Sequence, residues 1–272
     1  MNRRRPGTTV DNVYQTLRGR IVEGEYQPGM RMSQGGLASE LNISRTPLRE
    51  ALNRLEADGL VVSEANRGME VAPVSDSQVE ECYALRLLVE PATLAAISAD
   101  LTDAELDEMD AALADMETKK NRIRDFQAAH LSFHELTLRR YPESVRELTR
   151  SLHLKIYRHQ RLHFSRPHVP EHFTNVDRIL LQSLRAREPE RARHVLEFHL
   201  ADAAIGMILD KDPDYRFDSL LVAVRGLGIE VEQAMDGHLP RPTTISWPGG
   251  EAKDIVELTT ANLDSASHGA NA

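Results

Sequence analysis

Leu37-Ala38-Ser39-Glu40-Leu41-Asn42-Ile43-Ser44-Arg45-Thr46-Pro47-Leu48-Arg49-Glu50-Ala51-Leu52 contains two short runs of apolar residues at helical spacing, separated by a turn. The first run, 37–41, fits a short helix. The second fits a helix over 46–57: Ser44 is a good N-cap for the orphan N–H groups at its start, Pro47 suits its first turn, and Gly59 supplies the left-handed stop. Two helices joined by so short a connection predict a helix-turn-helix. Arg45 and Arg49 lie four apart on the second helix and share one of its faces.

On the N-terminal side, Val13, Leu17, Ile21 and Val22 recur at helical spacing from Val10 onward, and the pattern stops at the turn signal Gln27-Pro28-Gly29. On the C-terminal side, Leu60-Val61-Val62 and Met69 to Val71 are β-prone runs flanking Glu64-Ala65-Asn66-Arg67-Gly68, which reads as a hairpin with a basic tip. Three helices followed by such a hairpin predict a winged helix-turn-helix over 10–74, which inserts its third helix into the major groove of DNA. Residues 1–9, with Arg3-Arg4-Arg5 and Pro6-Gly7, read as a disordered basic arm.

Ala72-Pro73-Val74-Ser75 reads as a hinge. Beyond it, 75–236 is almost wholly helical in pattern, with helices predicted near 76–99, 103–118, 122–140, 143–163, 172–186, 189–209 and 213–235. Glycine is absent from 69 to 205, as long helices joined by short loops require. Pro91 inside the first of these is expected to kink or restart it. The remainder, 237–272, carries Pro240-Arg241-Pro242 and Pro248-Gly249-Gly250 and reads as a mostly disordered tail. The fold class is mainly α: an N-terminal winged helix-turn-helix plus a C-terminal antiparallel all-helical bundle.

The 272 residues carry a net charge of -9, which taken whole argues against coating nucleic acid by bulk electrostatics. The average hides a split. Residues 1–72 hold ten arginines and no lysine against nine carboxylates, and the rest of the chain carries the whole acidic excess. The single cysteine, Cys82, excludes an internal disulfide or a cysteine-rich metal site and makes a reducing, cytoplasmic compartment the expectation. No uninterrupted run nears the roughly 20 apolar residues of a membrane span.

Val22-Glu23-Gly24-Glu25-Tyr26-Gln27-Pro28-Gly29-Met30-Arg31, the 37–52 stretch, Arg54-Leu55-Glu56, Asp58-Gly59-Leu60 and Arg67-Gly68 with Val71 closely resemble the GntR family of bacterial transcription regulators. The resemblance implies that Ser44, Arg45, Thr46 and Arg49 touch operator DNA from the recognition helix, with Arg67 and Gly68 at the wing tip. The chemistry agrees, since a guanidinium can be bidentate to guanine O6 and N7 and hydroxyls beside a helix N-terminus suit phosphate. The alternative for the two helix arginines is surface pairing with Glu50 or Glu56. Where many relatives have a polar or basic residue before Leu37, this chain has Gly35-Gly36, so the second helix is expected to start late.

Tyr83-Ala84-Leu85-Arg86-Leu87-Leu88-Val89-Glu90-Pro91-Ala92-Thr93-Leu94-Ala95-Ala96 resembles the opening helix of the FCD effector domain of the FadR subfamily. Many such domains hold a divalent metal through one Asp and three His. Here His130-Leu131-Ser132-Phe133-His134 has His where the family's motif has Asp, and aligning Ile179-Leu180 and His199-Leu200 places Asp177 where a His is usual. The exchange keeps the inventory, so the resemblance implies a divalent metal on His130, His134, Asp177 and His199. Zinc is the first expectation, with nickel and manganese compatible with mixed N/O ligation. Spacing alone does not decide it: nine of the 11 histidines fall between 130 and 199, His159 with His163 and His168 with His172 repeat the i,i+4 interval, and His153 or His172 could replace a named ligand.

Arg86 is the leading candidate effector contact, because an arginine on an apolar stretch needs an anionic partner, either a bound carboxylate or Glu90 one turn on. Tyr157 and Arg158 are further candidate effector contacts, on the wall of the ligand cavity that the FCD resemblance implies. The chain therefore reads as a non-enzymatic, ligand-responsive DNA-binding regulator with no membrane partner, and the family resemblance implies a homodimeric repressor on palindromic operator DNA released by a small organic acid. Two alternatives stand beside this: the same DNA module with a metal-free sensor for an acyl or apolar ligand, and a metal-dependent enzyme built on the His/Asp cluster, with Glu135 beside His134.

Overall fold

A computed structural model describes residues 10–64, 68–163, 174–231 and 245–246. By packing, the chain divides into unit 1, Met1–Ser75 together with Tyr157–Leu162, and unit 2, the remainder. The expected basic arm at 1–9, Arg67 at the wing tip and nearly all of the 237–272 tail lie outside the described residues.

In unit 1, α1 (Val10–Val22), α2 (Gln34–Glu40) and α3 (Arg45–Ala57) precede β1 (Val61–Glu64) and β2 (Gly68–Val71). The strands pair antiparallel with Val61 opposite Val71 and Glu64 opposite Gly68, and Arg31 bridges to Glu70 along the outer edge of the hairpin. Leu17, Ile21, Leu48, Leu52, Leu55 and Leu60 are fully buried, so the apolar stripes that predicted the helices form one core. Asn42, at φ 52°, makes the turn from α2 into α3, and asparagine is one of the few non-glycine residues that tolerates the left-handed region. Arg20 donates to the Tyr26 hydroxyl at 2.6 Å and pairs with Glu40, and Arg54 pairs with Asp11 at 2.5 Å. Both arginines are thereby spent on holding the helices together.

The second helix does not start late. α2 begins at Gln34, ahead of both glycines, because the Ser33 hydroxyl accepts from the Gly36 N–H at 3.4 Å and offsets part of the glycine cost. A Cβ built on Gly35 meets nothing within 4 Å. Gly35→Ala is accordingly expected to raise the stability of unit 1 by about 0.5–1 kcal/mol, read as a higher midpoint in thermal or urea unfolding.

Unit 2 comprises α4 (Asp76–Ile97), α5 (Asp103–Thr118), α6 (Ile123–Leu138), most of α7 (Glu143–His163), α8 (Asn175–Arg185), α9 (Pro189–Leu209) and α10 (Ser219–Gly226). α4 packs against α9 and α10, α5 against α6 and α8, and α8 against α9. The capping box of Thr102 and Glu105 starts α5, and Pro189 occupies the first turn of α9. α4 continues through Pro91 as one helix rather than restarting there. Residues 76–100 are long and apolar enough, by composition, to cross a membrane, which the absence of an uninterrupted apolar run did not suggest. α4 instead buries Leu87, Leu94 and the ion pair Arg86–Glu90, as a core helix does.

The helix expected over 213–235 is shorter. Its apolar residues Leu220, Ala223 and Val224 are buried in α10, but Gly228 takes φ 71° and ends the helical path, and Glu230–Val231 (β3) pairs with Ile245–Ser246 (β4). The acidic face of α5 is answered by arginines: Glu105 by Arg140 at 2.6 Å, Asp107 by Arg185 at 2.8 Å, Asp103 by Arg187 at 3.3 Å, and Glu108 and Glu117 by Arg139 and Arg178. These pairs lie at the surface, where water and salt screen them, so each adds little to stability.

Candidate metal centre and DNA-reading face

His130 and His134 stand one turn apart on α6, Asp177 in the first turn of α8, and His199 in the middle of α9. One ligand atom from each lies within 4.8 Å of all the others. The Nε2 atoms of His130 and His134 are 2.9 Å apart. His130 and His134 Nε2 approach the Asp177 carboxylate at 3.7 and 3.6 Å, and His199 Nε2 at 3.8 Å. Ligand atoms bound at about 2.0–2.2 Å to one ion sit roughly 3–3.5 Å from each other, so only a small contraction separates these positions from a coordination shell.

The environment of Asp177 makes the same point through energetics. Its side chain is 0% exposed, yet neither carboxylate oxygen has a hydrogen-bond partner. Burial pushes its pKa up to about 8. Burial also pulls the histidines down, His199 to about 4 and both His130 and His134 well below their ordinary value, with the other histidines and Arg86 adding repulsion. A buried carboxylate disfavoured as an anion, among imidazoles disfavoured as cations, is resolved by a dication that accepts lone pairs from all four. The residues fit the divalent metal that the FCD resemblance implies, with the exchanged positions of Asp and His both used.

Arg86 is buried beside this cluster and is held by Glu90 in a two-pronged pair, Nε to Oε1 at 2.5 Å and Nη2 to Oε2 at 3.2 Å. His153 Nε2 lies 3.4 Å from Glu90 Oε1, and its ring centroid is 6.1 Å from that of His134. Burial alone would raise the pKa of Glu90, but Arg86 and His153 overcome it and hold it at about 2. The internal partner open to Arg86 in the sequence is thus the one it takes, while its charge still bears on His130, His134 and His199.

Tyr157 and Arg158 are not brought to the cluster. Both are grouped with unit 1, where the Tyr157 hydroxyl donates to Glu23 at 3.2 Å and Arg158 donates to the carbonyl of Ala72. Helical periodicity sets where each lies around α7 but does not identify what it meets. Glu135 is exposed while its neighbour His134 is buried, so the two point to different surroundings. Among the described residues, Glu90, the alternative partner for Arg86, and His153, the alternative ligand, both lie beside the cluster, with His153 outside the set of four. The i,i+4 interval of Arg86 and Glu90 was the available signal for one of them.

On unit 1, Ser44, Arg45, Thr46 and Arg49 are all exposed, with Ser44 at the N-cap of α3 in extended backbone. The Ser44 hydroxyl makes no bond to the N–H groups of its own helix, which leaves the first turn of α3 with donors for an anion. Among the described residues, neither Arg45 nor Arg49 has an ion pair, in contrast to the spent Arg20 and Arg54. Gly68 opens β2 at φ 87°, where a side chain would be strained and where the backbone of the wing is bare.

A winged helix-turn-helix with unpaired arginines on its third helix, joined to a mainly helical domain with a buried ligand cluster, defines a DNA-binding regulator with a sensor domain. The profile of bacterial regulatory proteins of the gntR family matches residues 9–71, and that of the FCD domain matches 81–202. The chain belongs to the GntR family and carries an FCD effector-binding domain. It is 26% identical over 188 residues to an uncharacterised HTH-type transcriptional regulator of Bacillus subtilis (strain 168), covering 67% of this chain and 84% of that protein. It is 29% identical over 208 residues to the gluconate operon transcriptional repressor of Bacillus licheniformis, covering 75% of this chain and 77% of the relative. Among solved structures, a GntR transcriptional regulator from Rhodococcus sp. RHA1 matches with TM-score 0.65 and 25% identity, over 76% of this chain and 99% of that one.

Proposed function

We propose that this regulator is a cytoplasmic, homodimeric repressor that leaves a palindromic operator when a small organic acid binds at a metal held by His130, His134, Asp177 and His199. The observation that carries the sensor half is the buried Asp177 carboxylate with two unpartnered oxygens facing three imidazoles. Three nitrogen donors and one carboxylate suit zinc first, then nickel, with manganese also compatible. When bound, the metal supplies positive charge and coordination positions beyond the four protein ligands for a carboxylate. Arg86, fixed by Glu90, adds a positive field at the cluster.

Two winged units in one dimer place two recognition helices on half-sites about one helical turn apart. An effector lowers operator affinity only by as much as it prefers the released state over the bound one. Repression is supported by the character of the Bacillus licheniformis relative, a gluconate operon repressor. The family and its relatives are regulators, and the cluster is read as a sensor rather than a catalytic centre.

Arg45 and Arg49 read base edges or phosphates, with Ser44 and Thr46 on phosphate and Arg67 and Gly68 at the wing. Arg49→Ala is expected to weaken binding to the selected operator by about 10–100-fold, the equivalent of one or two lost base contacts, while circular dichroism stays unchanged. The check is a mobility shift at fixed salt against operator fragments selected from a random duplex library. Undiminished preference for the selected over a scrambled site would remove Arg49 from the reading set.

A further inference from the structure

Tyr157–Leu162, the end of α7, is grouped with unit 1, and two arginines in it are buried without being satisfied. Arg158 is 3% exposed. Its Nη2 donates to the carbonyl of Ala72, but its Nε has no hydrogen-bond partner. Arg161, three residues further, has a side chain 6% exposed. It donates from Nη2 to Glu23 and lies over the Tyr157 ring, while its Nε and Nη1 have no partner.

A guanidinium is charged at every working pH and carries five N–H donors in a rigid plane, so it cannot escape burial by giving up its proton. Each buried donor left unmet carries the full desolvation penalty of that group. Here three remain unmet on two side chains of one helix, three residues apart, whose Cβ atoms are about 5–6 Å from each other. Among the described residues, Glu23, 42% exposed on its side chain, is the carboxylate paired with Arg161, and Arg158 meets only a carbonyl. The pair thus keeps an excess of one positive charge. Burial draws both guanidinium groups below their ordinary pKa, Arg158 to about 10, as expected of cations short of a counter-charge.

We propose that Arg158 and Arg161 form an oxyanion site, which takes a carboxylate or phosphate group on Arg158 Nε and on Arg161 Nε and Nη1. The donors offered are those not committed to Ala72 or Glu23, so the anion adds bonds without breaking either. Ala72 directly follows β2 and Glu23 directly follows α1, so an oxyanion held here ties the end of the wing and the end of the first helix to the same two guanidinium groups. The site includes none of the four residues of the candidate metal centre and does not depend on that reading.

Isothermal titration of the full chain with sodium phosphate, and separately with sodium acetate, against chloride at matched ionic strength tests this. Saturable binding of one of the two anions at one per chain is expected, and the tighter of them identifies the group the site takes. Arg161→Gln is expected to weaken that binding at least tenfold with metal content unchanged, and Arg161→Lys, which keeps the charge but not the fork, to restore it in part. His134→Ala is expected to leave it intact. The proposal is overturned if neither anion binds saturably, if Arg161→Gln binds as tightly as the parent, or if His134→Ala abolishes binding and so moves it to the metal centre.

Discussion

Prepared with excess zinc and then desalted, the chain is expected to retain about one ion per protomer, and Asp177→Asn or His134→Ala to retain less than about half of that. Loss of an outer partner costs a metal site roughly 10–100-fold in affinity, and loss of a direct ligand costs more. Stability carries a second signature with a definite sign. Without metal, Asp177 has its pKa raised by burial to about 8, against about 3.9 in the unfolded chain. The folded state therefore holds that proton more tightly. A penalty is absent below about pH 4, accumulates as pH rises through that interval, and is complete above about pH 8. A cation that binds the carboxylate removes the penalty. Chelation is thus expected to lower the melting temperature more at pH 8 than at pH 5, and the operator release caused by effector is expected to vanish with the metal. An unchanged melting temperature on chelation at pH 8, together with metal below half an equivalent, would exclude the four-ligand centre.

The helix-turn-helix was legible because its determinants are local. Ser44 stands at the N-cap position of α3 and Gly59, at φ 70°, turns the chain after it, each within a few residues of where it acts, and Leu48, Leu52 and Leu55 repeat with the period of the helix they bury. Gly35-Gly36 misled because the glycine penalty was weighed without the Ser33 cap that offsets it. The 213–235 segment misled because the apolar period of Leu220, Ala223 and Val224 extends no further than Gly226, and Gly228 then turns left-handed.

The sensor was legible only in part, and the histidines show why. His130 with His134 and His159 with His163 have the same spacing, and both His134 and His159 are buried. Spacing within a helix fixes which residues share a face. It carries nothing about which residue of another helix that face meets, and the arrival of Asp177 from α8 and His199 from α9 is what distinguishes the first pair. The family motif supplied those two positions where periodicity could not. The same limit hid the surroundings of Tyr157 and Arg158, whose partners Glu23 and Ala72 lie more than 80 residues earlier in the chain.

Glu90→Gln is expected to destabilise the helical unit by about 3–5 kcal/mol, because it leaves the Arg86 guanidinium charged and uncompensated in the core while barely changing the shape of the side chain. For a domain of this size that corresponds to a fall of roughly 2–4 °C per kcal/mol in the melting temperature of that unit. The pH dependence of stability is expected to show the combined effect of burial, Arg86 and His153 on Glu90. Glu90 is held at about 2 when folded, against about 4.3 unfolded, so its stabilisation is fully present above about pH 5 and is lost as pH falls toward 2. The pair need not be the most stable filling of that space, since well-packed apolar residues often match a buried ion pair. Arg86→Met combined with Glu90→Leu is therefore expected to recover most of the stability lost in Glu90→Gln. If the double variant nevertheless responds to effector as the parent does, Arg86 has no part in effector recognition, and its charge serves only its partner on α4. If stability returns while the response is lost, the buried ion pair is retained for the field it places beside the four-ligand cluster.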